Sequence, residues 1–454
     1  MSIRVKLTAS ALAIALAMGG TAAQAQSITQ ALTAAYSYAP DLQAAVLDAK
    51  SRAENIVQAK SRKLPTIGAS VNGTYNWSIA GGQFQDSTSL NAGLSYSQTL
   101  FDNFQTEAQI EAARAGAEAA EYQIRNTEQN VLLNVVQAYM SVLSDRQLVG
   151  LRQENVNFYT TQLSSARDRL EVGEGTRIDV AQANARLAQG QAAYQAAVNS
   201  LEVSEATFQR YVGQAPRDLQ SSHSFARLIP NSLQSAIAEA ESGHPAILTA
   251  KAAIRAAQAG SDAAQGAFGP TIDVTGSIGA SDGTSRQGTP QAVSGQMRLN
   301  ISVPIYAGGA LGSGVRQANL DQIRSEVDAM SIYDQIREAV ISAWAGIQNA
   351  DAQIQAAQSA VSAGQEVVNG VIQERDLGTR TTLDVLNAQA ELISAREGLI
   401  NASSSKVIAT FSLLASIGRL TAGDLGLPVQ TKTAVNYTQE VEDVWQELRV
   451  VKDE

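Results

Sequence analysis

The chain contains one sixteen-residue turn motif twice, and this duplication constrains its fold more than any other feature. Residues 172–187 read VGEGTRIDVAQANARL, and residues 377–392 read LGTRTTLDVLNAQAEL. Asp179 and Asp384 are 384 − 179 = 205 residues apart, and the aligned glycines Gly173 and Gly378 have the same spacing. Chance similarities drift out of register, whereas an internal repeat keeps it. The motif therefore predicts two copies of one structural unit.

The same offset relates residues throughout the chain. Pro40 aligns with Pro245, Pro65 with Pro270, and the segment 94–102 with 299–307. The sequence thus predicts two repeats and a short tail. The predicted divisions are a signal peptide at 1–25, a first repeat at 26–229, a second at 230–420 and a C-terminal tail at 421–454, expected to belong to an equatorial region.

Two stretches of each repeat alternate between apolar and polar residues. Ile67, Val71, Tyr75 and Trp77 fall on odd positions with polar residues between them, as in a strand with one polar face. The other stretches follow the same pattern. The alternation predicts strands at about 66–78, 89–101, 271–281 and 295–306, joined by polar loops near 79–88 and 282–292.

The remainder of each repeat has helical periodicity. Residues 104–171 contain no proline, and their hydrophobic residues recur at steps of three and four. After the first turn, one face carries Val180, Ala183, Leu187 and Gly190, a heptad spacing with small side chains that lets helices approach closely. Helical hairpins are predicted at about 104–212 and 310–417. The fold class is therefore mainly α with a small β part.

The first residues have the features of a secretory signal peptide. Arg4 and Lys6 precede an apolar run, and Ala23-Gln24-Ala25 forms a small-residue cleavage site. The apolar run from Leu7 to Met18 is too short to cross a bilayer comfortably. We therefore expect export from the cytoplasm, with the mature chain beginning near Gln26.

The composition argues against several functional classes. A net charge of −10 without a basic stripe disfavours nucleic acid as a partner. There is no cysteine, no histidine pair at ligand spacing and no phosphate-binding glycine loop. We expect no enzyme activity, no catalytic residues, no cofactor and no metal site.

Four amphipathic strands cannot close a membrane barrel by themselves. Open sheet edges are not tolerated in lipid, and single-chain bacterial barrels have at least eight strands. Two interpretations remain at this point. Several chains share one membrane barrel, or the strands form a small soluble sheet on a coiled-coil protein.

The repeats, their order of helices and strands, and the two turn motifs resemble the TolC family of outer-membrane efflux and secretion ducts. The resemblance covers nearly all of the mature chain. It implies a homotrimer in outer-membrane lipid, with a shared 12-stranded transmembrane β-barrel and a periplasmic α-helical tunnel. It also implies two partners: a periplasmic adaptor (membrane fusion) protein and an inner-membrane pump of the RND or ABC type.

The turn motifs have both a local and a functional interpretation. Locally, Thr176 with Asp179 and Thr381 with Asp384 fit capping boxes, and Gly173 and Gly378 fit the left-handed residue that ends a helix. The resemblance implies in addition a periplasmic gate. An arginine matching Arg380 is held by residues matching Asp179 and Gln162 of a neighbouring chain, and acidic rings line the constriction. The implied gate residues are Gln162, Asp179, Arg380, Asp384 and Asn387.

The sequence departs from the family's gate pattern at three positions. Asn387 stands where a second acidic ring is expected, and Arg375 and Ile178 stand where a tyrosine and a threonine are bonded to each other. A single carboxylate ring is expected to bind polyvalent cations less tightly than two.

The turns are also the implied contacts of the adaptor, although a solvated loop without a partner is the alternative. The expected contact residues are Val172, Gly173, Gly175, Thr176, Leu377, Gly378, Thr379 and Thr381. A secreted coiled-coil stalk or adhesin without channel activity is the alternative for the whole molecule. For the duct, the cargo is expected to be small toxic molecules, type I secreted proteins or both.

Overall fold

A computed structural model of the chain describes residues 26–220, 225–285 and 289–442, so the predicted signal peptide and the last twelve residues of the tail lie outside the described residues. The helices are α1 Ile28–Tyr38, α2 Pro40–Ser61, α3 Gln105–Glu171, α4 Arg177–Val212, α5 Leu233–Gly243, α6 Pro245–Gly266, α7 Ala310–Asp376, α8 Thr382–Ser416 and α9 Val435–Val441, with a 3₁₀ turn at Phe225–Leu228. The strands are β1 Thr66–Ala80, β2 Gln83–Phe101, β3 Thr271–Ser285 and β4 Thr289–Ser302.

The 205-residue offset recurs in the element boundaries. The pairs α1 and α5, α2 and α6, β1 and β3, α3 and α7, and α4 and α8 each begin 205 residues apart, and α3 and α7 both contain 67 residues. At 1.5 Å per residue, such a helix is about 100 Å long. None of the helices described combines the length and hydropathy that crossing a bilayer requires.

The chain divides into two compact units, each drawn from both repeats. The first comprises the described residues up to Ala39 with Glu128–Ala236 and Ala339–Gln430. Its helices pack through seams of large and small residues. Ala183 and Leu386 are fully buried with Tyr159 and Leu163, and a Cβ added at Gly190 would lie 3.0 Å from the ring of Tyr159. The small heptad residues therefore do permit close helix packing, as the sequence predicts.

The second unit comprises Pro40–Thr127, Ile237–Glu338 and the described residues from Thr431. It contains one antiparallel sheet with strand order β1-β2-β3-β4. Adjacent strands are consecutive in sequence, and β2 and β3 join the two repeats. Within the described residues, β1 and β4 form the edges of the sheet.

The strands extend further into the predicted loops than the alternation indicates. The first hairpin turns at Gly81 and Gly82, whose φ angles are 59° and 78°, so β2 begins at Gln83 and not near residue 89. Two successive residues with positive φ match the twist of a tight hairpin. The expected loop at 79–88 is wrong because polar residues such as Gln85 and Ser87 still pair through their backbones.

The second hairpin differs from the prediction in the same way. Strand β3 continues to Ser285 and β4 begins at Thr289, so most of the expected loop at 282–292 is strand; residues 286–288 lie outside the described residues. At the other end, β4 stops at Ser302 rather than near 306. Pro304 follows closely, and a proline cannot donate a ladder hydrogen bond.

The described part of the C-terminal tail packs within the second unit from Thr431 onward. Tyr437 and Val441 of α9 are buried against Ala53 of α2, and the Tyr437 hydroxyl donates to Glu54 Oε1 at 2.6 Å. Glu121 of α3 accepts from the backbone N–H of Ala434 at 2.9 Å. These contacts join the tail to α2 and to the first third of α3.

Candidate functional site

The sheet has one polar face and one mainly apolar face. Cross-strand rows such as Ser70, Gly93, Gly279 and Ser294 belong to the polar face. The neighbouring rows form the apolar face. Its exposed large residues are Ile67, Val71, Tyr75, Trp77, Ile79, Phe84, Leu90, Leu94, Ile278, Val293, Met297, Leu299 and Ile301.

The apolar face has the dimensions of a membrane-facing surface. Apolar or small residues occupy every odd position from Ile67 to Trp77. A tilted transmembrane strand needs about 9 to 11 residues, so this stretch is long enough. Trp77 stacks on Phe84 with ring centroids 6.4 Å apart, next to the Gly81-Gly82 turn. Aromatic side chains at the end of an apolar band are typical of a membrane–water interface.

The two motif turns have the same backbone structure. Gly173 and Gly378 both have a φ of 81°. The N–H groups of Glu174 and Thr379 donate to carbonyls five residues earlier, at 2.8 and 2.9 Å. These bonds form the Schellman end of a helix. The predicted helix-ending glycines are thus confirmed.

Both predicted capping boxes are also confirmed. Thr176 accepts from the N–H of Asp179 at 3.1 Å, and Asp179 accepts from the N–H of Thr176 at 3.0 Å. Thr381 and Asp384 form the equivalent pair at 3.2 and 2.9 Å. The Thr176 hydroxyl lowers the pKa of Asp179, and the Thr381 backbone N–H lowers the pKa of Asp384. Both carboxylates are therefore held in the charged form.

Two of the predicted gate residues line a common cavity in the first unit. Asp179 and Arg380 both face a space of about 210 Å³ between the turns, together with Arg169, Glu174 and Arg375. Within the chain, Arg380 Nε donates to Glu374 Oε2 at 2.9 Å, and this bond raises the pKa of Arg380. Arg380 is half exposed in this pair. Arg380 and Asp179 line the same cavity, but within one chain Arg380 is bonded to Glu374 and not to Asp179.

Gln162 has a partner within its own chain, whereas the partner that the resemblance implies belongs to a neighbouring chain. Its Oε1 accepts from Arg375 Nη1 in the same chain, and not from Arg380. Arg375 is 7% exposed and also contacts Asp376 Oδ1 at 2.7 Å. The implied pairing of Gln162 with Arg380 joins neighbouring chains and stays a prediction; within one chain, Gln162 is bonded to Arg375.

The remaining gate residues occupy the start of α8. Asp384 is held by its capping box, and Asn387 Oδ1 accepts from Arg186 Nη2 of α4 at 2.9 Å. The expected adaptor contacts lie at the two turns, where Val172 and Leu377 are 71% and 81% exposed. Of the other expected contact residues, Gly175 is half-buried and the rest are exposed.

Sequence reasoning did not identify several residues that the structure brings into the site. The sequence marks Arg375 only as a departure from the family's gate pattern, yet this side chain forms a buried contact between α3 and α7. Arg169 donates to the backbone carbonyl of Arg375 at 3.5 Å, and Glu374 holds Arg380. The available signal was the repeat itself, because Arg169 and Glu374 are 374 − 169 = 205 residues apart. Among the residues described, no acidic or histidine cluster suits a metal ion.

A comparison with protein-family models decides the classification. The outer membrane efflux protein family matches residues 31–214 and again 236–419. The two matches begin 236 − 31 = 205 residues apart, the offset of the turn motifs. The chain belongs to the outer membrane efflux protein family.

Relatives of known name extend this family assignment. Outer membrane efflux protein BepC of Brucella suis is 37% identical over 95% of this chain and 93% of its own length. Outer membrane protein TolC of Escherichia coli is 26% identical over 91% and 86% of the two chains. Alkaline protease secretion protein AprF of Pseudomonas aeruginosa is 25% identical over 86% and 83%. The resemblance to the TolC family is confirmed.

A solved structure agrees in fold. The Campylobacter jejuni CmeC outer membrane channel superposes with a TM-score of 0.73 at 17% identity, covering 93% of this chain and 90% of its own. This efflux family consists of outer-membrane channels rather than enzymes. The protein is thus an outer-membrane protein of the efflux and secretion channel class, and the structural-stalk alternative is not favoured.

Proposed function

We propose that three copies of the chain form one export duct through the outer membrane. Membership of the efflux family across both repeats carries this proposal. The sheet supplies a physical reason for more than one copy. Its edge strands β1 and β4 have unpaired outer edges within the described chain, and such edges are unstable in lipid. Three sheets of four strands close a 12-stranded barrel with the apolar face toward lipid.

The helices continue the duct into the periplasm as a tunnel. Leu320, Ile323, Val327 and Met330 of α7 are exposed and follow a spacing of three, four and three. This stripe has the spacing of a seam between packed helices. In the trimer it packs on a neighbouring chain, while polar side chains face the water-filled interior.

The two motif turns close the inner end of the tunnel. Asp179 and Gln162 of a neighbouring chain hold Arg380, since a guanidinium satisfies two acceptors at once. Gln162 also anchors Arg375 within its own chain. Asp384 contributes three carboxylates to a ring, and Asn387 contributes amides, so the ring binds polyvalent cations weakly. Exposed ion pairs are weak, which lets a partner open the gate.

A periplasmic adaptor opens the duct at the exposed turns around Gly173 and Gly378. An inner-membrane pump of the RND or ABC type supplies the energy. Small toxic molecules are the favoured cargo because BepC, the 37%-identical relative, is an efflux protein. Type I secreted proteins are the second candidate, which the relationship to AprF favours.

Single-channel conductance in planar bilayers tests this proposal. Purified wild-type protein should form small openings, and Arg380→Ser should enlarge them because the bonds of Arg380 to the neighbouring chain are lost. Arg177→Ser is the matched control, since Arg177 is an exposed arginine of the neighbouring turn that is not among the proposed gate residues. Absence of any conductance from folded trimers would refute the duct. If Arg380→Ser and Arg177→Ser have the same single-channel conductance, the gate is refuted and the duct is not.

A further inference from the structure

The polar face of the sheet carries very few charges. Its described rows consist of serine, threonine, asparagine, glutamine, glycine and alanine, with two charged residues, Asp273 and Arg298. Asp86 and Asp282 lie on the apolar face, where they pair with Trp77 and Leu90 near the hairpin turns. The charges of the polar face are therefore confined to one place.

Asp273 and Arg298 occupy adjacent rows. Asp273 lies between Thr99 and Asn300, and Arg298 lies opposite Thr275 in the next row. Such diagonal neighbours are about 7–8 Å apart, within reach of a long side chain. Asp273 Oδ1 accepts from Thr99 Oγ1 at 2.8 Å, and Arg298 Nη2 donates to Gln296 Oε1 at 3.5 Å. Neutral polar groups thus orient both charges along the polar face.

Both residues lie at the end of the sheet nearest the helices. Asp273 is two residues after the start of β3, and Arg298 is four residues before the end of β4. A register shift between Thr99 and Phe101 of β2 flanks Asp273. Bulges of this kind re-aim neighbouring side chains. A solute that moves from the helices into the strands meets this pair before the long neutral part of the polar face.

We propose that Asp273 and Arg298 of three chains form a charge-balanced belt inside the barrel that sets the ion selectivity of the open barrel. The inference rests on the proposed trimeric duct. Rings of one charge sign select for counter-ions, whereas three carboxylates and three guanidiniums cancel. The belt therefore admits solutes of either charge, and a duct for chemically diverse cargo needs such an entrance. Replacing the residues of one charge sign by neutral ones leaves a ring of the other sign, which selects for its counter-ions.

Reversal potentials under a KCl gradient test the belt in the gate-opened Arg380→Ser background. Arg298→Gln should make the pore several-fold more cation-selective, and Asp273→Asn should make it several-fold more anion-selective. The double variant should return to the selectivity of the background. Ser97→Ala is the control, because Ser97 is a neutral residue in the row of Arg298. Both shifts should shrink in concentrated salt, where fixed charges are screened.

The possible outcomes separate the belt from the duct. Opposite shifts that cancel in the double variant support the belt. Conducting pores with equal selectivity in all variants overturn the belt and leave the duct intact. Shifts of the same sign in both single variants also overturn it, because they indicate altered pore shape rather than charge. If the background and every variant fail to conduct, the proposed duct fails and the belt with it.

Discussion

At the scale of single residues, Arg375 is the most informative side chain of the turn region. Its guanidinium is nearly inaccessible, and its partner Gln162 is also buried. A buried charge is tolerated only when hydrogen bonds replace its lost water. Gln162 and Asp376 supply those bonds from opposite sides of the guanidinium. Arg375 therefore connects α3 to the end of α7 within one chain.

Replacing Arg375 by methionine should destabilise the turn region. The Gln162 amide would stay buried without its partner, and an unsatisfied buried polar group costs about 1–3 kcal/mol. Arg177→Met is the control because Arg177 is exposed. Apparent melting temperatures in detergent should fall for Arg375→Met and stay near wild type for Arg177→Met. Equal melting temperatures would contradict a structural role for Arg375.

Asp179 should make the first turn sensitive to acid. The Thr176 hydroxyl lowers the pKa of Asp179 below its ordinary 3.8. A lowered folded-state pKa stabilises the fold above the ordinary pKa, and this contribution disappears as the pH falls through the lowered value. Thr176→Val removes the cap, typically worth about 1 kcal/mol.

The melting-temperature deficit of Thr176→Val should therefore be largest above pH 5 and should shrink below pH 4. Thr161→Val is the control, since the Thr161 hydroxyl bonds only a backbone carbonyl of its own helix at 3.1 Å. Its effect should not vary with pH. A deficit of Thr176→Val that stays constant from pH 7 to pH 3 would show that the Asp179 charge does not contribute to the cap.

At the scale of elements, glycines end the long helices under different packing constraints. Gly213 ends α4 with a φ of 79°, and a Cβ there would lie 2.7 Å from the ring of Tyr38 in α1. Gly173 ends α3 with nearly the same φ, but nothing lies within 4 Å of its Cβ position. The two positions separate backbone strain from steric clash.

Gly173→Ala should incur only the conformational cost of a left-handed alanine, about 1–2 kcal/mol. Gly213→Ala should cost more, because Tyr38 must also move away from α4. Melting temperatures of the two variants give the comparison directly. If both variants lose the same stability, Tyr38 moves away without a measurable cost and its close contact with Gly213 does not contribute to the difference.

The element scale also marks the limit of sequence reasoning. Heptad spacing predicts the helices around Ala183 because burial between helices imposes that period. Alternation from Ile67 predicts the strands because successive side chains of a strand lie on opposite faces of the sheet. Strand ends were missed where pairing through the backbone continues past the alternation, as at Gln85. The Gly81-Gly82 pair was the available signal for the tight turn. The contact between Arg375 and Gln162 could not be predicted from the sequence. Periodicity does not specify the partner of a buried polar side chain when that partner is 213 positions away.

At the scale of the whole molecule, two features of the described residues have no partner within a single chain. The outer edges of β1 and β4 are not paired with another strand, and the α7 stripe of Leu320, Ile323, Val327 and Met330 is exposed. Exposed apolar surface of this extent is a mark of an interaction site. Both features are accounted for if neighbouring copies pair edge to edge and helix to helix.

Val327→Lys should weaken this assembly, because a lysine in the middle of the stripe places a charge in an apolar seam. Gln317→Lys is the matched control: Gln317 is exposed on the same helix but lies outside the stripe. Light scattering of the detergent-solubilised protein should show trimers for wild type and Gln317→Lys. Smaller species should appear for Val327→Lys. Stable trimers of Val327→Lys would mean that the strand edges alone hold the chains together and that the stripe faces something other than a second copy.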